Sequence, residues 1–261
     1  MAGAGPTRTD VPREKFHYDW HWQWDYGNGD IGNQGVHEMD KARWGLGKTT
    51  MPKSVFSIGG RFGYQDDGQT PNTEICYFDY GDAELIFEVR GLETGDLKGA
   101  KVGNIFYGSD GYAVSNSYSS GTIFDLKGQK VTSFEGGANH IENFLNAIRS
   151  RKHTDLTADI QEGHLSAALG HLGNISYRMG SDLPLGKKPP QSLKNKNVEE
   201  SFGRFTQHLA DNKVPLDKMK YRLGRDLTID PAKETFTNGS RSAVAQLARD
   251  PRKGFAVPEK A

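Results

Sequence analysis

The sequence predicts an α+β fold: an open, mostly antiparallel β-sheet with helices packed on one face, plus an extended C-terminal tail. Three observations predict it. Seven strand-like runs follow one another between residues 54 and 134, separated by short turn signals, which argues for an antiparallel meander. Two amphipathic helical patterns follow, around Ile141–Ile148 and Ile160–Met179. Hydrophobic residues make up only 35% of the 261, with a mean hydropathy of −0.69, so part of the length must be extended and solvent-covered. That part is assigned to the two ends. Residues 1–20 read as a leader or linker, 21–182 as an α/β domain, and 183–261 as a linker and C-terminal tail with short helices.

The elements follow in order. From His17 to Tyr26 the aromatics Tyr18, Trp20, Trp22, Trp24 and Tyr26 alternate with polar residues, a period of two that predicts an extended segment with one aromatic face. Such a face packs on a core, or stacks on the C–H faces of a sugar. Next comes Gly27-Asn28-Gly29-Asp30-Ile31-Gly32-Asn33-Gln34-Gly35-Val36-His37-Glu38-Met39-Asp40. Asp30, Asn33, His37 and Asp40 are spaced three, four and three, which on a helix stacks them on one face. Ile31, Met39, Ala42 and Leu46 fall on another face. The reading is a glycine-rich bend leading into a helix over about 31 to 46. Glycine in a helix costs about 1 kcal/mol relative to alanine, so its use implies a close approach to the backbone. The plain alternative is a solvated helix face after an ordinary turn, with Asp30 as no more than an N-cap.

Strands are expected at Ser54–Phe62, Glu74–Tyr80, Glu84–Arg90, Lys101–Tyr107, Gly111–Ser115, Thr122–Asp125 and Lys130–Phe134. Turns at Asp66-Asp67-Gly68, Gly81-Asp82, Gly95-Asp96, Ser109-Asp110-Gly111 and Lys127-Gly128 separate them. In the first helix after the strands, Ile141, Phe144, Leu145 and Ile148 form a core stripe, and basic residues suit its C-terminus. In the second, Leu165, Ala168, Leu172, Ile175 and Met179 do the same. His164 and His171 share a face there, but seven residues separate them by about 10 Å along the axis. Each imidazole on a zinc lies only about 2 Å from it, so they do not share one ion. His37 and Asp40 have no third ligand at a suitable spacing, and no metal site is assigned. Residues 183–197 are rich in Pro and Lys and read as a linker. Glu199–Asn212 and Ser240–Ala248 read as short helices, with an extended piece at Leu227–Phe236 between them, and the last residues as a mobile tail.

Charge excludes some functions. With 33 basic and 33 acidic residues there is no basic field to hold a phosphate backbone, so nucleic acid is not an expected partner. No apolar run approaches the roughly 20 residues that span a bilayer, so no membrane partner is expected either, and a soluble protein, cytoplasmic or periplasmic, is. The single cysteine, Cys76, reads as a small core residue.

The run from Trp22 to Asp40, followed by Ala42-Arg43-Trp44, resembles the C-terminal domain of the Gfo/Idh/MocA oxidoreductases, the glucose–fructose oxidoreductase and inositol dehydrogenase relatives. That family carries Asp-x-Gly-x-His-x-x-Asp after a glycine cluster; here Asn33 stands at the first position, as in a large bacterial subgroup. The likeness continues through Pro71-Asn72-Thr73, Phe87–Gly91, Glu162–Ser166 and Arg249–Lys253. It implies that 21–182 is the substrate-binding domain of an NAD(P)-dependent oxidoreductase acting on a sugar or polyol. It also implies a Rossmann partner domain, which this sequence lacks. Gly27–Gly32 spells Gly-x-Gly-x-x-Gly, but aromatic and polar residues precede it instead of an apolar strand, and the family's Glu-Lys-Pro lysine is missing. The chain is therefore expected to be a fragment, inactive alone, that binds neither NAD nor NADP tightly.

By carry-over, His37 is the catalytic base and Asn33 orients the substrate hydroxyl or the ring. A histidine suits the role because its ordinary pKa lies near neutrality. Asp30, Trp22, Gln23, His164 and His171 are expected to bind substrate, and Asp40 to fix the ring tautomer or form an ion pair. Gln23 stands where the family often has arginine. An open sheet face is a natural surface for a homo-oligomer. Two other readings remain: a non-catalytic carbohydrate-binding or oligomerisation module, and half of an NAD-dependent glycosidase.

Overall fold

The computed structural model describes residues 16–185 and 195–256. The helices are α1 (Phe16–Asp19), α2 (Gly35–Gly45), α3 (His140–Ser150), α4 (Ile160–Arg178), α5 (Lys196–Asp211) and α6 (Arg241–Val244). The strands are β1 (Ser54–Gly60), β2 (Thr73–Asp79), β3 (Glu84–Arg90), β4 (Asn104–Tyr107), β5 (Gly111–Ser115), β6 (Ser120–Asp125), β7 (Lys130–Glu135), β8 (Ser181–Pro184), β9 (Lys220–Leu223), β10 (Leu227–Asp230) and β11 (Thr235–Phe236). The α+β class and the open antiparallel sheet are as expected. The strands, however, form two sheets instead of one meander, in two compact units. The first unit takes described residues up to 36, then 50–93 and from 168 onward; the second takes 37–49 and 94–167.

In the first unit the sheet order is β11-β10-β1-β2-β3, with β9 pairing β1 and β8, all antiparallel. Ile58 sits opposite Ile75, and Ser57 opposite Cys76, so the two pairs lie on opposite faces. Ile58 and Ile75 pack with Val198, Phe202, Phe205 and Leu209 of α5. On the other face, the Ser57 amide donates to Ser176 Oγ of α4 (3.0 Å) and Ser57 Oγ donates to Gly173 O (3.0 Å). This corrects the expectation of helices on one face only. The covering helix, α5, comes from the region read as linker and tail, and its N-cap Asn195 accepts from the amides of Asn197 and Val198. Residues 183–185 and 195–247 thus build this unit, while 1–15, 186–194 and 257–261 of the expected leader, linker and tail lie outside the described residues.

The segment from His17 to Tyr26 is not extended. It forms α1 and a 3-10 turn at Trp20–Trp22. Tyr18 meets His21 and Trp22 edge-on at 4.8 and 5.8 Å, pairs three and four residues apart that suit a helical turn as well as the alternation suits a strand. The bend that follows needs its glycines for the chain's own sake. A Cβ on Gly27 would lie 2.3 Å from His21 Cα, and Gly29 has φ +77°. Helix α2 starts at Gly35, so Asp30 and Asn33 lie before it and not on its polar face.

In the second unit β4-β5-β6-β7 form an antiparallel sheet. Asn139 caps α3, accepting from Glu142 N, and Arg151 ends it in the left-handed region at φ 58°. The α3 stripe is not core: Ile141, Phe144, Leu145 and Ile148 are all exposed. Every residue of β7 is exposed too. Among the described residues no helix is long and apolar enough to cross a membrane.

Candidate functional site

His37 occupies the first turn of α2 and is exposed. Its ring meets Tyr118 edge-on at 6.0 Å. One turn further along α2, Lys41 places its Nζ 5.4 Å from the centre of the same tyrosine ring and donates to Ser117 O at 2.9 Å. Partial burial draws the Lys41 pKa below its ordinary value, against the charge of Glu38. Tyr118 is held by a serine-rich loop between β5 and β6. Ser115 Oγ donates to Ser117 O and Ser120 O (3.0 and 3.1 Å), and the Ser117 and Ser120 hydroxyls are 2.7 Å apart. Lys41, Tyr118, Phe106 and Phe134 line a hollow of about 290 Å³ beside this loop. The second unit therefore presents an imidazole and an ammonium around one phenol ring, groups of the kind that exchange protons with a hydroxyl-bearing ligand.

Asp40 is engaged elsewhere. It accepts from Ser166 Oγ at 2.5 Å and lies 3.6 Å from the guanidinium of Arg43. Arg43, 1% exposed, donates to Ser166 Oγ (2.9 Å), Lys48 O (2.6 Å) and the Glu162 carboxylate. Of the two roles expected for Asp40, the geometry is that of the structural ion pair.

The first unit gathers Asp30, Trp22 and Asn33 around His21. The Trp22 indole donates to the Asp30 carboxylate. His21, 5% exposed, donates from Nδ1 to Tyr18 O, which leaves Nε2 to face Asn33 Nδ2 at 3.4 Å. Burial raises the Asp30 pKa, against the Trp22 hydrogen bond and the nearby His21 and Arg61. Asp30 thus serves the indole where an N-cap role was equally open. Gln23 is 1% exposed and spends its amide on Asp67 O at 2.8 Å, so its side chain anchors the β1–β2 loop. His164 is exposed in the second unit, whereas His171 belongs to the first. Crowding by surrounding protein, with the Arg249 charge, lowers the His171 pKa.

The four polar residues of the glycine-rich motif therefore have four different neighbours: an indole for Asp30, an imidazole for Asn33, a phenol for His37, and a serine with an arginine for Asp40. Sequence reasoning missed Lys41, Tyr118, His21 and Arg61. Lys41 stood four residues after His37, a readable helical spacing; Tyr118 sits in a loop with no local signal. It also missed Glu74, a carboxyl buried in β2 whose pKa is pushed up to about 8 by desolvation, with Cys76 as hydrogen-bond partner and Asp30 as a nearby like charge.

The family model for the oxidoreductase family C-terminal alpha/beta domain, of Gfo/Idh/MocA type, matches residues 2–202. The chain belongs to the Gfo/Idh/MocA oxidoreductase family. No curated protein matches it. Among solved structures it is similar to a Thermotoga maritima protein described as an oxidoreductase, at 19% identity over 64% of this chain and 48% of that one, with a TM-score of 0.46. An oxidoreductase from Agrobacterium radiobacter, in complex with NAD+, L-tartaric acid and magnesium, matches at 14% identity over 57% of this chain and 46% of that one, TM-score 0.39. A Desulfitobacterium hafniense protein described as an NADPH-dependent oxidoreductase matches at 15% identity over 57% and 46%, TM-score 0.37. The Gfo/Idh/MocA chain spans about half the length of these proteins.

The described residues do not fit a nicotinamide dinucleotide. Gly27–Gly32 follows a 3-10 turn instead of a strand, and every strand pairing is antiparallel, whereas the dinucleotide fingerprint needs a parallel βαβ unit. Among the described residues no group of three or more His, Cys, Asp or Glu is placed to hold a metal ion.

Proposed function

We propose that this chain supplies the substrate side of an NAD(P)-dependent oxidoreductase acting on a sugar or polyol, with His37 as the group that accepts a hydroxyl proton. The observation that carries the reading is the His37 imidazole itself. It sits in the family's motif, exposed at the start of α2 and flanked by Tyr118 and Lys41. An exposed ring is reachable by a ligand, and an imidazole nitrogen is chemically able to accept a hydroxyl proton. Tyr118 and Lys41 give a polar rim that can orient a hydroxyl. Asn33 can only donate and accept hydrogen bonds, so its proposed part is orientation. The nicotinamide, which supplies the hydride acceptor in this family's chemistry, belongs on a Rossmann-type partner domain because the described residues do not fit it. A homo-oligomer through the exposed sheet of the second unit is part of the same proposal.

The test has two arms. In the assembled oxidoreductase, His37→Ala should lower kcat by about 100-fold or more while sedimentation and KM change little. The chain alone, titrated with NADH and followed by nicotinamide fluorescence, should give no saturable binding. Tight dinucleotide binding by this polypeptide, or an H37A enzyme of normal rate, would overturn the assignment.

A further inference from the structure

The first unit contains a cavity of about 410 Å³ that none of the residues proposed for catalysis or substrate contact lines. It opens on the face of the sheet that carries α4. Gly59 and Arg222 are partners across β1 and β9, and Arg222 and Asp182 across β9 and β8, so these three face the same side. Gly59 brings no side chain to the floor. A Cβ there would come within 3.0 Å of Thr73 O and 3.2 Å of Glu74 Cβ. Trp24 and Tyr177 form the walls, their rings 6.4 Å apart and inclined by 36°.

The charges around it divide into spent and unspent. Arg61 is clamped by the Asp66 carboxylate through Nε (2.8 Å) and Nη2 (2.5 Å), and Arg222 donates from Nε to Asp182 at 2.8 Å. Arg178 and Lys220 also line the cavity, and among the described residues neither has a carboxylate within ion-pair distance. Arg178 lies instead over the Trp24 ring, 5.2 Å from its centre, and feels the like charge of Arg249 and the opposite charge of Asp25. The lining carries four cations, Arg61, Arg178, Lys220 and Arg222, against the one carboxylate of Asp182, and an excess of like charge at a concave surface focuses a field that attracts an anion. The aromatic wall is fixed as well: Gln69 Oε1 accepts from Trp24 N at 2.9 Å, and Arg249 donates to Trp24 O at 2.9 Å. Gln69 itself lines the cavity, and its amide nitrogen is not used by that bond.

We propose that this cavity binds a monosaccharide-sized sugar acid, its carboxylate held by Arg178 and Lys220 and its ring lying along Trp24 and Tyr177. The volume falls at the small end of ligand pockets. A guanidinium fork matches a carboxylate, and the flat ring walls match C–H faces that a bare oxyanion does not have. The Gln69 amide supplies a hydroxyl partner. The site is independent of His37 and stands or falls without it.

The experiment is calorimetric titration of the whole chain with D-glucuronate, D-galacturonate and D-gluconate, against D-glucose and inorganic phosphate. At least one sugar acid should bind about tenfold more tightly than glucose and than phosphate. Arg178→Ala and Lys220→Ala should each weaken it by about tenfold, the loss of one charge-assisted hydrogen bond, with Arg178→Lys partly restoring it. Both side chains are exposed, so unfolding curves should be unchanged, and His37→Ala should bind as the parent does. The proposal is overturned if no sugar acid binds up to about 10 mM, if glucose or phosphate binds as well, if both alanine variants bind normally, or if H37A abolishes binding.

Discussion

Arg43 carries its charge at 1% exposure, and it does so because five oxygens surround it. Removing a buried charge leaves the groups paired with it without their partner. Arg43→Ala should therefore cost about 3 kcal/mol in urea unfolding, less than a fully interior pair because Asp40 and Glu162 remain about one-third exposed. Glu74 gives a pH signature of opposite origin. Its folded pKa, about 8, lies above the ordinary carboxylate value, so the folded state holds the proton more tightly. Its contribution is greatest below the unfolded pKa and is lost as pH rises toward 8. Glu74→Gln should flatten the fall of the urea midpoint between pH 5 and 8.5; an unchanged slope in the variant would remove Glu74 as the cause. At this scale the motif was readable and its partners were not. His37 and Asn33 can be picked out by pattern, but Tyr118, Ser166 and His21 reach the motif through tertiary contacts with no fixed spacing.

Elements were legible where local chemistry alone decides them. The β3 and β5 boundaries read directly from the sequence, because Gly81-Asp82 and Ser109-Asp110 punctuate runs of strand formers. Strands β8 and β9 were missed because four polar-rich residues each, Ser181–Pro184 and Lys220–Leu223, look like loop until they pair with one another and with β1. Periodicity also cannot say which apolar stripe finds a partner. The stripes of α3 and α5 look equivalent in sequence, yet Phe205 is 2% exposed and Phe144 is 56% exposed. Phe205→Ala should thus lower stability by about 3–5 kcal/mol, and Phe144→Ala by about 0.5 kcal/mol or less. Denaturant unfolding of the two variants side by side decides it; equal losses would show that α3 is covered as fully as α5.

For the whole molecule, the α+β class followed from strand spacing, but the division into two sheets did not. Residues after 195 return to pair with β1 and to cover the face of β1 and β2, and such long-range closure has no local code. The same division leaves a consequence in the second unit. Val131 (64% exposed), Phe134 (46%) and Tyr107 (69%) stand on strands β7 and β4, the two edges of their sheet. Exposed apolar side chains on sheet edges favour pairing with another copy, and an edge with no proline inside it has little to prevent that. If the homo-oligomer proposed above uses this sheet, sedimentation should show mass action above one chain. Val131→Glu with Phe134→Glu should return it to the mass of a single chain while leaving the unfolding midpoint within about 0.5 kcal/mol, since neither residue is buried in the chain alone. A parent that sediments as one chain at every concentration would leave these residues without that partner and remove oligomerisation from the functional reading.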